Sequence, residues 1–159
     1  MQREILAPVV ALVAWTLVML GWMMAMRMPA MRAAGIDMGK LTGSKGSDAD
    51  KVLPPQAQWK AHNYNHLHEQ PTLFYAISIT LAVLDKGHGI ALWLAWAYVI
   101  LRIAHSLVQA TFNKVSTRFA LFVLSTAALA ALTVCAGLAL AMDAATPGPI
   151  VTTAAAYPH

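Results

Sequence analysis

Charged residues and cysteine are both scarce in this chain of 159 residues. Asp, Glu, Lys and Arg make up 11% of it, whereas an ordinary soluble domain carries roughly 25%. This composition excludes a soluble domain and a disordered chain. The single cysteine, Cys135, excludes an intramolecular disulfide and a site built on paired thiolates. The sequence also lacks the motifs of phosphate-binding loops, dinucleotide-binding folds, serine hydrolases and zinc proteases. Its lysines are scattered, and scattered lysines alone do not indicate nucleic-acid binding.

Long apolar segments are present instead, since 58% of the residues are hydrophobic. The uncharged runs Ile5–Met26 and Phe119–Met142 both exceed the about 20 residues that cross a bilayer as a helix. Two weaker apolar segments lie between them, joined by the turn-forming stretch Asp85–Gly89. We therefore predict an all-α protein, a single integral membrane domain over residues 1–159 that forms a four-helix bundle. The predicted spans are about 5–27, 63–84, 89–112 and 119–142.

The distribution of Lys and Arg predicts the orientation of these spans. Eight of them fall on one side, six within residues 27–60 together with Lys114 and Arg118, whereas Arg3 and Lys86 fall on the other. The positive-inside rule then places the loop 28–62 in the cytoplasm and both termini outside, including the tail 143–159. The stretch 41–55 is rich in Gly and polar residues and is predicted to be a mobile link.

Ionisable groups interrupt the two middle spans, and such groups survive in lipid mainly where they face a bundle interior or a water-filled cavity. Asn65 and Glu69 share a helix face, with His62 one turn earlier. A second polar stripe recurs at steps of three and four residues, formed by Tyr98, Arg102, His105, Gln109 and Asn113.

Counting outward from the connection near Gly87 places Glu69 level with His105 and one turn from Arg102. The sequence leaves two interpretations open. Glu69 and Arg102 could form a buried ion pair that fixes helix register, or Arg102 could help to line a pocket for an anionic ligand that enters from the cytoplasm.

A metal site is not predicted, although His62, His66, His68 and Glu69 lie close together in the sequence. On a continuous helix His66 and His68 point about 200° apart, so they cannot ligate one ion together. The methionines clustered within residues 19–31 are predicted to pack or face lipid.

Two motifs resemble the MAPEG family, the membrane-associated proteins in eicosanoid and glutathione metabolism. The run NHLHEQPTLFY, residues 65–75, is similar to the family's second-helix signature in its bacterial form. The run LRIAHSL, residues 101–107, followed by NKV at 113–115 and RF at 118–119, is similar to the third-helix signature. Both motifs lie in the expected spans, and the pattern of four spans with a long cytoplasmic first loop agrees with the family.

The resemblance implies a homotrimer that holds glutathione, as a co-substrate, between adjacent subunits near the cytoplasmic face. Arg118 matches the family arginine that favours the thiolate and is the candidate catalytic residue. Arg27 is a candidate contact from the neighbouring subunit. The full set of candidate glutathione-binding residues comprises Arg27, His62, Asn65, Glu69, Arg102, His105 and Asn113. Three arginines and a glutamate would complement the two carboxylates and one ammonium of glutathione.

Gln109 and Phe122 stand where eicosanoid-branch members commonly carry tyrosines, which argues against leukotriene or prostaglandin synthesis. The resemblance therefore implies a glutathione-dependent transferase or peroxidase that acts on hydrophobic electrophiles or lipid hydroperoxides, in a bacterial inner membrane. The alternative is a non-enzymatic, lipid-binding module or an accessory subunit of a larger membrane complex. The expected partners are other copies of the chain, membrane lipids and a hydrophobic small molecule.

Overall fold

The computed structural model describes residues 3–40, 42, 43 and 45–145, and for residues 38 and 50 it describes the backbone alone. All regular structure in this part of the chain is helical, which confirms the predicted all-α fold class. Two short 3-10 helices, Met38–Lys40 and Gly46–Lys51, lie in the first loop. The α-helices are α1 (Leu6–Ala33), α2 (Pro55–His66), α3 (Gln70–Val83), α4 (Ile90–Ala110) and α5 (Val115–Ala145).

Three of these helices, α1, α4 and α5, are long and apolar enough to cross a membrane. The segment predicted as the second span is divided between the end of α2 and α3, with a break between His66 and Gln70. α2 and α3 together supply the fourth arm of a membrane bundle, packing against α1, α4 and α5. The predicted tail 143–159 falls largely outside the described residues, which end at residue 145.

The core lies where the four arms meet. Leu12 of α1, Phe74 of α3 and Leu132 of α5 are fully buried there. Phe74 stacks on Tyr98 of α4, with ring centroids 4.6 Å apart. Many large apolar side chains on the outer faces are exposed, as expected of helices that face lipid. In lipid, van der Waals contacts between the buried residues stabilise such a bundle more than the hydrophobic effect does.

Two features fix the helix ends on the side of the α3–α4 turn. Gly89 directly precedes α4 as its N-cap and has φ +58°, a left-handed conformation that favours glycine. Gly87 packs so tightly against buried Ile5 that an added Cβ would lie 2.9 Å from the Ile5 Cβ. The turn therefore requires glycine on steric grounds.

At the opposite end of the bundle, α2 packs along the last turns of α1. Lys60 is buried there, and its amine lies 5.5 Å from the centroid of the Trp22 ring. Burial lowers the pKa of Lys60 from its ordinary value of 10.5. The guanidinium of Arg27 donates to the Gly46 carbonyl, which attaches the first loop to α1.

The prediction of a mobile link over residues 41–55 stays a prediction, because residues 41 and 44 lie outside the described part of the chain. Gly46–Lys51 forms a 3-10 helix, and Leu53 is buried.

Candidate functional site

The break between α2 and α3 shapes the polar region at the end of the bundle that carries the first loop. Pro71 stands in the first turn of α3, where the missing N–H of proline costs nothing, whereas a helix continuing from α2 through Pro71 would lose the hydrogen bond to the Leu67 carbonyl four residues back. α2 therefore ends at His66, and the backbone turns through Leu67–Glu69. Thr72 Oγ1 donates to the Glu69 carbonyl at 2.6 Å, which holds this turn onto the start of α3.

Arg102 is the largest fully buried side chain of the region, with 1% of its surface exposed. Its Nη2 donates to the His66 carbonyl at 3.0 Å, and the same carbonyl accepts from the Glu69 N–H at 3.4 Å. Its Nη1 lies 3.5 Å from Gln70 Oε1, which also accepts from the Tyr98 hydroxyl at 3.5 Å. Arg102 thus joins α4 to the break between α2 and α3.

The Glu69 carboxylate contacts His66 instead of Arg102. Glu69 Oε2 lies 2.6 Å from His66 Nδ1, and the two side chains are 66% and 24% exposed, respectively. The direct Glu69–Arg102 ion pair, one of the two interpretations that the sequence leaves open, is not formed, since the hydrogen bonds of Arg102 go to a carbonyl and an amide. The reason is the break: the prediction assumed a continuous helix through residue 69, and the turn moves the carboxylate toward the cavity.

His105 lies on the same face of α4 and is buried, as the polar stripe predicts. Its Nε2 is 3.2 Å from Gln109 Oε1, while its Nδ1 is buried and has no hydrogen-bond partner among the described residues. The His105 ring lies 5.2 Å from that of His66, which in turn lies 5.9 Å from the Phe122 ring. Three aromatic rings from three helices therefore form one wall.

Arg118 stands at the start of α5 and is held by the turn that precedes it. Asn113 has φ +51°, a left-handed conformation that Asn tolerates better than other side chains do. This conformation closes α4, where the Asn113 N–H donates to the Val108 carbonyl at 2.8 Å. Asn113 Oδ1 then accepts from Arg118 Nη1 at 2.5 Å, so the turn residue fixes the guanidinium.

These elements enclose a cavity of about 350 Å³, which we call the polar cavity. It receives side chains from α2, from the turn, from α4 and from α5, so it depends on the whole packing at this end of the bundle. Its lining residues are His62, His66, Glu69, His105, Gln109, Val115, Arg118, Phe119 and Phe122.

A second cavity of about 920 Å³ lies between α1, the first loop and α2, and we call it the methionine cavity. Met23, Met24, Met28 and Met31 line one side of it. Its other lining residues include Arg27, His62 and Asn65.

The candidate residues therefore divide between two places within one chain. His62 lines both cavities. Arg27 and Asn65 line the methionine cavity, whereas Glu69, His105 and Arg118 line the polar cavity. Arg102 and Asn113 support the polar cavity from behind, since neither belongs to its lining.

Three residues outside the predicted site have a clear place in it. His66 lines the polar cavity and binds Glu69, and Gln70 and Tyr98 form the hydrogen-bonded environment of Arg102. Pro71 is the sequence feature that could have indicated the positions of His66 and Gln70, because a proline there ends the preceding helix. Among the described residues, no group of three or more His, Cys, Asp or Glu side chains is arranged to hold a metal ion.

The fold and the two cavities define a class of protein: an all-α membrane bundle with a charged cavity at one end. Comparison with known families shows which family of membrane proteins this is. The sequence model of the MAPEG family matches residues 5–138, most of the chain, and the protein belongs to that family. Membership in it suggests a function in glutathione-related or eicosanoid metabolism. No curated protein and no solved structure matches the chain.

Proposed function

We propose that this chain is a membrane-bound glutathione-dependent transferase or peroxidase that acts on hydrophobic electrophiles or lipid hydroperoxides. The observation that supports this most directly is the polar cavity, where the fixed guanidinium of Arg118 and the carboxylate of Glu69 face one space of about 350 Å³. Glutathione carries two carboxylates and one ammonium group, so it complements a cavity that offers both signs of charge.

The position of Arg118 suits activation of a thiol. The thiolate is the nucleophilic form of glutathione, and a neighbouring cation lowers the pKa of a thiol. Arg118 is anchored by Asn113 and flanked by the apolar side chains Phe119 and Phe122. A fixed charge beside apolar groups acts more strongly than the same charge in water.

The apolar side of the polar cavity indicates the route of the second substrate. Val115 and Phe119 line the cavity and are 68% and 66% exposed, and Phe119 begins the predicted span 119–142, so this side of the cavity opens where α5 enters the membrane. An electrophile or hydroperoxide dissolved in the bilayer would reach the thiolate from this side. Membrane lipids are accordingly proposed as neighbours of the site.

We further propose a homotrimer in which glutathione lies between adjacent subunits. The division of the candidate residues supports this, because Arg27 and Asn65 face the methionine cavity while Arg118 faces the polar cavity. A ligand that contacts both sets would have to bridge two surfaces. The bias of Lys and Arg toward this end supports a cytoplasmic position in a bacterial inner membrane, with both termini outside.

Titration of the purified protein with glutathione tests this proposal, with the ultraviolet absorbance of the thiolate as the readout. The wild-type protein should bind and ionise the thiol, and Arg118→Ala should bind it without ionising it. Arg32→Ala is the matched control, since Arg32 is an exposed arginine at the end of α1 that lines neither cavity.

One observation favours a second function. The methionine cavity is larger than the polar cavity and mostly apolar, and flexible methionine side chains adapt to varied apolar ligands. A non-enzymatic lipid-binding module, or an accessory subunit of a larger membrane complex, would use this cavity and would not need the thiol. Absence of glutathione binding at millimolar concentration would favour this alternative.

A further inference from the structure

His66 occupies a position in the polar cavity that suits proton transfer. Its Nδ1 lies 2.6 Å from Glu69 Oε2, and its ring packs between those of His105 and Phe122 at 5.2 Å and 5.9 Å. The side chain is 24% exposed and lines the same cavity as Arg118. The His66 side chain is therefore held by Glu69, contacts two neighbouring rings and is open toward the cavity.

The contact with Glu69 determines which ring nitrogen is available. A carboxylate accepts hydrogen bonds, so Nδ1 carries the proton that it donates, and the lone pair of the neutral ring resides on Nε2. Among the described residues, no protein group hydrogen-bonds His66 Nε2. A carboxylate behind an imidazole also stabilises the imidazolium once a proton has been accepted.

His105 is less suited to this task. Only 5% of its surface is exposed, and its Nε2 is already engaged by Gln109 Oε1 at 3.2 Å. The two histidines are neighbours, yet only His66 combines a carboxylate partner with an open nitrogen.

We propose that His66 is the catalytic base that takes the proton from the thiol, an inference that rests on the proposed function. The S–H bond of glutathione breaks, its electron pair stays on sulfur as the thiolate, and the proton forms an N–H bond at His66 Nε2. Glu69 is the positioning residue for this imidazole. Arg118 pairs with the thiolate and takes no proton.

Several charged or titratable groups surround His66 and contribute to the electrostatic potential at its ring. They come from its own helix, from the turn, from α4 and from α5, and they are His62, Glu69, Arg102, His105 and Arg118. The number of protons released when the thiol ionises therefore distinguishes the role of His66 from that of these neighbours more directly than a pH profile does.

The test counts protons and thiolates in the same titration. Glutathione is added to the purified protein near neutral pH, thiolate formation is followed by ultraviolet absorbance, and calorimetry in buffers of different ionisation enthalpy gives the protons released. The wild-type protein should release fewer protons than the thiolates it forms, because His66 retains them. His66→Gln should either form no thiolate or release one proton for each thiolate.

Two controls separate a base from a structural residue. His68→Gln, at an exposed histidine that lines neither cavity, should behave as the wild type does. S-methylglutathione, which has no thiol proton, should bind His66→Gln within twofold of wild type. Should His66→Gln fail to fold, Glu69→Gln replaces it, since loss of the carboxylate should reduce proton retention while leaving the imidazole in place.

The outcomes distinguish the two proposals. One proton released per thiolate in the wild type, or an unchanged proton count in the folded variant, would overturn the role of His66 and leave a glutathione-dependent function standing. Failure of the wild type to bind glutathione would refute the proposed function, and the role of His66 with it.

Discussion

Asn113 combines two roles that a pair of substitutions can separate. Its backbone has φ +51°, and its side-chain oxygen accepts from Arg118 Nη1 at 2.5 Å. Asn113→Gly keeps the backbone free to adopt this conformation but removes the anchor of the guanidinium. Asn113→Ala removes the anchor and also strains the backbone.

The structure gives the expected size of each effect. A left-handed conformation costs an ordinary L-residue about 1–2 kcal/mol, so the free energy of unfolding of Asn113→Ala should lie about 1 kcal/mol below that of Asn113→Gly. Both variants should weaken thiol ionisation to the same extent, because both release Arg118. A rise of about one unit in the pKa of the bound thiol, worth about 1.4 kcal/mol, is the expected scale.

Thermal unfolding in detergent measures the first effect and thiolate absorbance with bound glutathione measures the second. Equal stability of the two variants would show that the turn does not depend on its left-handed residue. Wild-type ionisation in both variants would show that Asn113 does not position Arg118, and the proposed thiol activation would lose its geometric basis.

Three further predictions concern stability. Gly87→Ala should cost about 1–3 kcal/mol because its Cβ would lie 2.9 Å from the Cβ of buried Ile5, and an unchanged unfolding temperature would contradict this steric requirement. Asn63→Ala should cost about 1–2 kcal/mol, since Asn63 Nδ2 donates to Ser106 Oγ at 2.6 Å. A double-mutant cycle with Ser106→Ala that shows no coupling would contradict this bond. Burial lowers the pKa of Lys60, so the cost of burying its charge falls as pH rises toward 10.5 and wild-type stability should rise there. Lys60→Met should abolish that rise, and an unchanged pH dependence of unfolding would refute it.

The membrane fold could be predicted because lipid requires long apolar segments and places charge at their ends. Helices α1 and α5 extend beyond the predicted membrane spans 5–27 and 119–142. α1 continues past Arg27 to Ala33, and α5 begins at Val115, before Arg118. Helical hydrogen bonding continues beyond the apolar run, so hydropathy underestimates the length of a helix whose end leaves the hydrocarbon.

The polar stripe of α4 could also be read from spacing, and Arg102 and His105 are both buried as it predicts. The partner of Arg102 could not be obtained in that way. A count along one continuous helix aims Glu69 at Arg102, whereas Pro71 interrupts the helix and turns Glu69 toward His66. Because the three-residue break reorients α2 relative to α3, the side chains before the break do not point where a continuous helix would place them.

The sequence also does not predict that Arg27 attaches the first loop to α1, for a different reason. Its partner is the Gly46 backbone carbonyl, and every residue in the loop carries such a group. Side-chain patterns therefore give no signal for it. The division of the candidate residues between two cavities follows from the same loop, since it closes one side of the methionine cavity.

The proposed function requires glutathione to bind beside Arg118 in the polar cavity. Equilibrium titration of the purified wild-type protein with glutathione, read by calorimetry and thiolate absorbance together, tests it most directly. We predict saturable binding at or below millimolar concentration, with a thiolate signal that Arg118→Ala removes and Arg32→Ala retains. Absence of saturable binding would refute the proposed glutathione site, and a thiolate signal that persists in Arg118→Ala would refute the role of Arg118.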